Sequence, residues 1–325
     1  MANGFAVVRT PTTLDGGVDF VVSRGSEHWV AEVKHYRTDR AQPHLIEAAA
    51  AHLVSRQRAW PQYGGMLVLS CLLPPSMRLA LEQKFSILFI DRRDLETLTA
   101  KQLLLSEELQ ALLGSSLTRF FTQDPVRQPD ELFKQRIPPQ KIAPAAQDIC
   151  GTQLYARLNS VQPGRSAWTQ YEEVCAESLK YLFSRDLEGW HKQTLTDDGL
   201  NRFDFVCRVR PTTEFWRFLI DHLNSRYILF EFKNHSDKIT QDQIWATEKY
   251  LYERALRRVA IIFTRKGADD SALKATQVAM REHGRLMLVL DDGMLGAMLR
   301  MKEAGDDPSD YLFGLADDFL LTLPK

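Results

Sequence analysis

Short runs that are almost wholly apolar constrain this chain more than any other feature. They are Met66–Cys71, Ser86–Asp91, Tyr227–Phe230, Ala260–Thr264 and Arg285–Leu290. Each is too short for a buried helix and rich in branched or aromatic side chains, so each reads as a strand. A strand apolar on both faces has to be covered on both, which calls for a sheet with helices above and below. Such strands occur in both halves of the chain, so the expected class is α/β with two central mixed sheets, each flanked by helices.

The intervening segments fit that class. Phe5–Arg9, Val18–Ser23 and His28–Lys34 read as three short strands separated by turn residues. An alanine-rich helix follows over Pro43–Arg58, with Leu45, Ala49 and Leu53 on one face. After the strand Met66–Cys71, Pro74-Pro75 open a helix over Ser76–Lys84, and helix resumes beyond Asp91 as far as Leu113. The stretch 114–167 contains Pro125, Pro129, Pro138, Pro139, Pro144 and Pro163 and holds no apolar period, so it reads as a linker with short helical pieces. From 168 the order resumes, with a helix at Trp168–Phe183 and strands at Trp190–Leu195, Arg202–Val209 and Arg226–Lys233. A long helix over Thr240–Arg258 comes next, its buried stripe marked by Ile244, Leu251, Ala255 and Val259. Two further strands around the helix Asp270–His283, and closing helix, complete a domain over 168–325 opposite a first domain over 1–113.

Each half also carries the same small constellation. In the first, Asp19 on one strand is followed by Glu32 and Lys34 on the next; in the second, Asp204 is followed by Glu231 and Lys233. If Gly25-Ser26 form a two-residue hairpin loop, Arg24 pairs with Glu27 and Asp19 falls opposite Glu32. Facing carboxylates repel unless a cation compensates them, and a divalent metal is the simplest one. Lys34, two residues beyond Glu32, projects from the same side of the strand. Hard oxygen ligands suit Mg²⁺, with Mn²⁺ as a substitute, and an ion held there would activate a water against a phosphodiester. In the second half Glu172 and Glu173 lie on the preceding helix, and Gln241 and Gln243 open the following one as candidate phosphate or water contacts. Arg254, Arg257, Arg258, Arg265 and Lys266 are candidates for a surface along a nucleic-acid backbone.

Gly16-Gly17-Val18-Asp19-Phe20 with Ala31-Glu32-Val33-Lys34 resembles the Mrr-like branch of the PD-(D/E)xK nuclease superfamily, over roughly residues 5–100. Tyr171-Glu172-Glu173, Arg202-Phe203-Asp204, Glu231-Phe232-Lys233-Asn234 and Gln243 are similar to a restriction-endonuclease-like domain of the same superfamily, over roughly 168–295. The resemblance implies two restriction-endonuclease-like domains, each with a core of helix, three strands, helix and strand. It also implies Mg²⁺-dependent cleavage of DNA. By that likeness Asp19 and Glu32, and Asp204 and Glu231, hold metal; Lys34 and Lys233 complete the two triads; Glu172 and Gln243 support the second. One departure stands out: with only four residues before Phe5, the first domain is expected to lack the helix that opens the family core. The setting implied is bacterial restriction or anti-phage defence, with DNA as partner and either a second copy of the chain or an activating defence protein beside it.

Bulk properties remove other classes. The formal net charge is −1, which argues against a protein whose main work is coating DNA. No apolar run approaches the roughly 18 residues that cross a bilayer, and the N-terminus shows no signal pattern, so cytoplasmic residence is expected. Cys71, Cys150, Cys175 and Cys207 show no metal or disulfide spacing, and no GxxxxGK[ST] phosphate loop is present. The residues alone leave three rivals open: a DNA-binding module that keeps the fold without cutting, a structure-selective recombination or repair endonuclease, and an effector that cuts RNA or single strands.

Overall fold

A computed structural model describes residues 4–9, 18–113, 127, 133, 149–192 and 205–324. The chain divides into two compact units. One comprises Met1–Asp148 with Ala304–Asp306; the other comprises Ile149–Glu303 with Asp307–Lys325.

The first unit is built on a five-stranded sheet of β1 (Phe5–Arg9), β2 (Phe20–Arg24), β3 (Glu27–Lys34), β4 (Gly64–Leu69) and β5 (Leu88–Ile90), in that order across the sheet. β1, β2 and β3 pair antiparallel, whereas β3, β4 and β5 pair parallel. Gly25, at φ +61°, opens the tight turn between β2 and β3 and sets Arg24 opposite Glu27. The parallel crossovers are α1 (Pro43–Gln57) and α2 (Pro75–Phe85), followed by α3 (Arg92–Thr99) and α4 (Leu103–Leu113). Proline in the first turn starts both crossover helices, because its missing N–H costs nothing there. Leu45, Ala49 and Leu53 of α1 pack on Val30, Leu67 and Leu69, the side chains of one sheet face. Trp29, Ala31, Met66 and Ile90 fill the other face with Phe133.

The second sheet repeats the plan with β6 (Leu187–Lys192), β7 (Phe205–Val209), β8 (Tyr227–Lys233), β9 (Val259–Thr264) and β10 (Leu286–Leu290), again in chain order across the sheet. Its pairings run antiparallel, antiparallel, parallel, parallel, as in the first. A register irregularity interrupts the first pairing of each sheet, between Val7 and Arg9 in one and between Glu188 and His191 in the other. The helices are α5 (Cys150–Ser160), α6 (Trp168–Phe183), α7 (Glu214–Asp221), α8 (Gln241–Glu248), α9 (Asp270–His283), α10 (Asp292–Glu303) and α11 (Pro308–Leu321). Helix α6, three strands, α8 and β9 follow the order that the resemblance implies, with α7 added between β7 and β8.

The fold class is therefore the expected one: α/β, two five-stranded mixed sheets, each flanked by helices. Three elements differ from the expected ones. The strand expected at Trp190–Leu195 is β6, over Leu187–Lys192. The helix expected over Thr240–Arg258 stops at Glu248, and Val259 belongs to β9. Past it the chain turns back, with Tyr252 bridged to Arg257 and Arg257 Nε donating to the Tyr250 carbonyl at 2.6 Å. The long connection between β7 and β8, for which no element was expected, holds α7, whose Phe215, Trp216 and Leu219 are buried. Helix α5 falls in the second unit, inside the stretch read as linker; most of 114–148 lies outside the described residues. Among those described, no helix is long and apolar enough to cross a membrane.

Candidate active site

Alternation along β3 decides where its charges go. Val30 enters the α1 face, Ala31 the opposite one, and Glu32 and Lys34 share the parity of Val30. Both charges are consequently buried under α1, with Glu32 2% and Lys34 7% exposed. Lys34 Nζ lies 3.0 Å from Glu32 Oε1 and 3.0 Å from Asp306 Oδ1. Two residues of α1, one turn apart, complete the cluster: His52 Nδ1 is 3.3 Å from Glu32 Oε1, and Arg56 Nη1 is 3.9 Å from Glu32 Oε2. Oε2 has no hydrogen-bond partner among the described residues. Burial pushes the Glu32 carboxyl upward, but the His52 contact and the Lys34 ammonium outweigh it, so it ionises below its ordinary range. Burial likewise pushes Lys34 down, and the Glu32 and Asp306 carboxylates more than reverse this.

Asp19 sits one residue before β2. Phe20 pairs with Ala31, so the register runs as the hairpin argument requires. The Asp19 side chain is exposed, and its Oδ2 accepts from the Val33 backbone N–H at 2.7 Å, while its own N–H donates to Ala31. His35 is exposed.

In the second unit Glu231 and Lys233 occupy the corresponding end of β8. Phe230 and Phe232 join the cluster that contains Tyr171 and Val174 of α6, and Leu229 joins the one under α8 and α9. Glu231 and Lys233 share the parity of Leu229, so the side chains of this pair face the α8–α9 side. Glu231 is 3% exposed, and Lys233 Nζ lies 2.9 Å from its Oε2. Lys233 is more open than Lys34, with 24% of its side chain exposed against 8%. Asp204 lies outside the described residues; its chain neighbour Phe205 pairs with Phe230, the residue before Glu231.

The supporting residues are spread over both sides of the sheet. Glu172 is 1% exposed on α6, which packs against the face of β8 opposite the Glu231 side; Glu173 is exposed. Gln243 forms a capping box, its Oε1 accepting from the Thr240 N–H at 2.9 Å and lying 3.0 Å from the Thr240 hydroxyl. Gln241 is exposed at the first turn of α8. Of the five basic residues proposed for a backbone surface, three are engaged within the fold. Arg257 bonds the Tyr250 carbonyl, Arg258 pairs with Glu253, and Arg265 binds Asp292 at 3.0 Å and the Leu158 carbonyl at 3.1 Å.

Three residues of the first cluster escaped the sequence reading. His52 and Arg56 follow an i, i+4 spacing on the helix after Glu-x-Lys, a signal shared by any solvated helix face. Asp306 gave none, because it arrives from the far end of the chain. Asn234, directly after Lys233, is also placed: its Nδ2 donates to the carbonyls of Gln162 and Gly164 at 3.0 and 2.9 Å. Gly164 returns its N–H to the Asn234 carbonyl at 2.9 Å, at a φ of +109° that an L side chain rarely adopts.

Whether these residues suit a divalent ion differs between the units. Among the described residues no three His, Cys, Asp or Glu side chains converge to hold one. In the second unit the donor available is the Glu231 carboxylate, a hard oxygen ligand of the kind Mg²⁺ takes, beside a strand start whose Asp204 is outside the described set. In the first unit both carboxylates are described, and they do not fit. Glu32 is surrounded by an ammonium, an imidazole and a guanidinium, and one oxygen of Asp19 is held by backbone.

No family model matches this chain. No curated protein matches its sequence. Among solved structures it is similar to a chain described as the MspJI restriction endonuclease in complex with a 27-mer oligonucleotide, at 19% identity and a TM-score of 0.29. The likeness covers 66% of this chain and 44% of that one, so this chain spans less than half the length of that endonuclease.

Proposed function

We propose that the second unit is a metal-dependent nuclease centre that hydrolyses phosphodiester bonds of DNA. The observation that carries this reading is the Glu-x-Lys pair at the same end of the third strand in two sheets of identical order. Each glutamate is nearly sealed from water, at 2% and 3% exposed, and bound by its own lysine. A carboxylate at the end of an apolar strand is costly to bury, and a repeated one is retained for chemistry or for structure.

In this reading Asp204 and Glu231 hold the ion, Mg²⁺ or Mn²⁺. When bound, the ion supplies a polarised phosphodiester and an activated water. Lys233 holds that water beside the Glu231 carboxylate and offsets the negative charge that grows on the phosphoryl oxygens. Gln243, whose Oε1 is occupied by the helix cap, turns its amide N–H donors to a phosphate. The biological setting that goes with the resemblance is restriction or anti-phage defence.

Cleavage of supercoiled plasmid and short duplexes by the whole chain, in EDTA, Mg²⁺ or Mn²⁺, tests the reading. Metal-dependent cutting is expected, falling about 100-fold or more in Glu231→Ala and in Lys233→Ala. A chain that binds DNA but cuts nothing with either ion would overturn the nuclease reading in favour of a binding module.

A further inference from the structure

We infer that the first unit takes no divalent ion and does not cut: the protein's own cations fill the place around Glu32 that a metal would occupy. The inference concerns the same superfamily fold, and it rests on the reading of the second unit as the metal centre only in taking Glu231→Ala as the background for its test.

Four observations carry it. Lys34 is closed in, with its ammonium between Glu32 and Asp306 at 3.0 Å each and 7% of the residue exposed. A lysine so bound has no freedom to meet a water or a phosphate unless both pairs break. Glu32 Oε1 is shared by Lys34 and His52. Its other oxygen, the one opening for an ion, has the Arg56 guanidinium 3.9 Å away. A divalent cation entering there would meet the Lys34 ammonium, the Arg56 guanidinium and the His52 ring, where a metal site gathers negative charge. Finally, Asp19, opposite in register, gives one oxygen to the Val33 N–H and its side chain is exposed, whereas Glu32 is buried.

The contrast with the second unit is internal to the chain. There the described partner of Glu231 is Lys233, whose side chain is 24% exposed, and the contacts described for Glu231 include no histidine or arginine. The first unit thus keeps the fold and the letters of the motif while its charges are spent on one another.

Mn²⁺ titration of the full chain, followed by isothermal calorimetry and by the electron paramagnetic resonance of free Mn²⁺, tests this. The variant used is Glu231→Ala, which disables the second centre. No uptake is expected at Mn²⁺ concentrations that saturate the wild type, and a wild type that binds none agrees equally. Uptake by Glu231→Ala that disappears when either Asp19→Asn or Glu32→Gln is added would overturn the inference. Asp19 is exposed, so its variant remains usable if Glu32→Gln fails to fold; uptake that survives both changes lies elsewhere and leaves the inference standing. Because the readout is ion binding, it stands apart from whether the wild type cuts DNA.

Discussion

Lys34 is the residue on which the first unit's charge balance turns. Removing it leaves Glu32 buried beside weaker partners, and breaking a buried pair from one side costs about 3–5 kcal/mol. Lys34→Met should therefore lower the urea midpoint clearly, by about 3 kcal/mol of unfolding free energy, with the half-exposed Asp306 contributing little. Asp292 gives a pH test in the second unit. Burial pushes its carboxyl up to about 6, against the opposing pulls of Arg265 and the Tyr171 hydroxyl. The folded chain then holds this proton to higher pH than the unfolded one. Stability on its account is greatest below about pH 4, falls as pH rises toward 6, and stays level above. Asp292→Asn should flatten urea midpoints across that window, on the order of 2 kcal/mol. At this scale the sequence was legible where local rules apply. The turn at Gly25 fixed the β2–β3 register, and strand parity put Glu32 and Lys34 on one side. His52, Arg56 and Asp306 were not legible, because what makes them partners is tertiary approach rather than spacing.

Among the elements, strands were easier to read than helices. Runs such as Ala260–Thr264 admit little except a doubly covered strand, and β9 is buried at every position. The helix extended to Arg258 was misread because Ile244 and Leu251 keep a helical spacing although Leu251 lies beyond the last turn of α8. The turn leading into β9 sets its end. Leu256 adopts φ +51° and its carbonyl accepts from the Tyr227 N–H, which fixes the return into that strand. A leucine there carries the strain of a left-handed backbone, about 1–2 kcal/mol. Leu256→Gly should therefore stabilise the fold by about 0.5 kcal/mol once the added freedom of the unfolded chain is set against it, and raise the melting temperature slightly. A lower melting temperature would show that the half-exposed leucine side chain matters more than its backbone. Helix α7 went unread because Phe215, Trp216 and Phe218 are residues that favour strands, yet Phe215, Trp216 and Leu219 already have the period of a two-turn helix.

For the molecule as a whole, one working centre per chain has a kinetic signature. A single chain would break one DNA strand per encounter, so nicked circles should accumulate before linear plasmid at low protein concentration. Linear product appearing without a nicked intermediate would require two centres acting together. The repeated sheet order was legible as a repeat of architecture; that the two copies differ in their charge surroundings was not. A last consequence concerns anyone dividing the chain. Gly305 passes so near α1 that a Cβ would stand 2.3 Å from the Ala49 nitrogen, and its carbonyl receives the Tyr36 hydroxyl at 2.6 Å. A fragment ending at Asp148 would carry every strand of the first sheet and still be incomplete. It would lose the acceptor of Tyr36 and one of the two carboxylates that hold Lys34, so its behaviour in isolation would be that of a wounded protein.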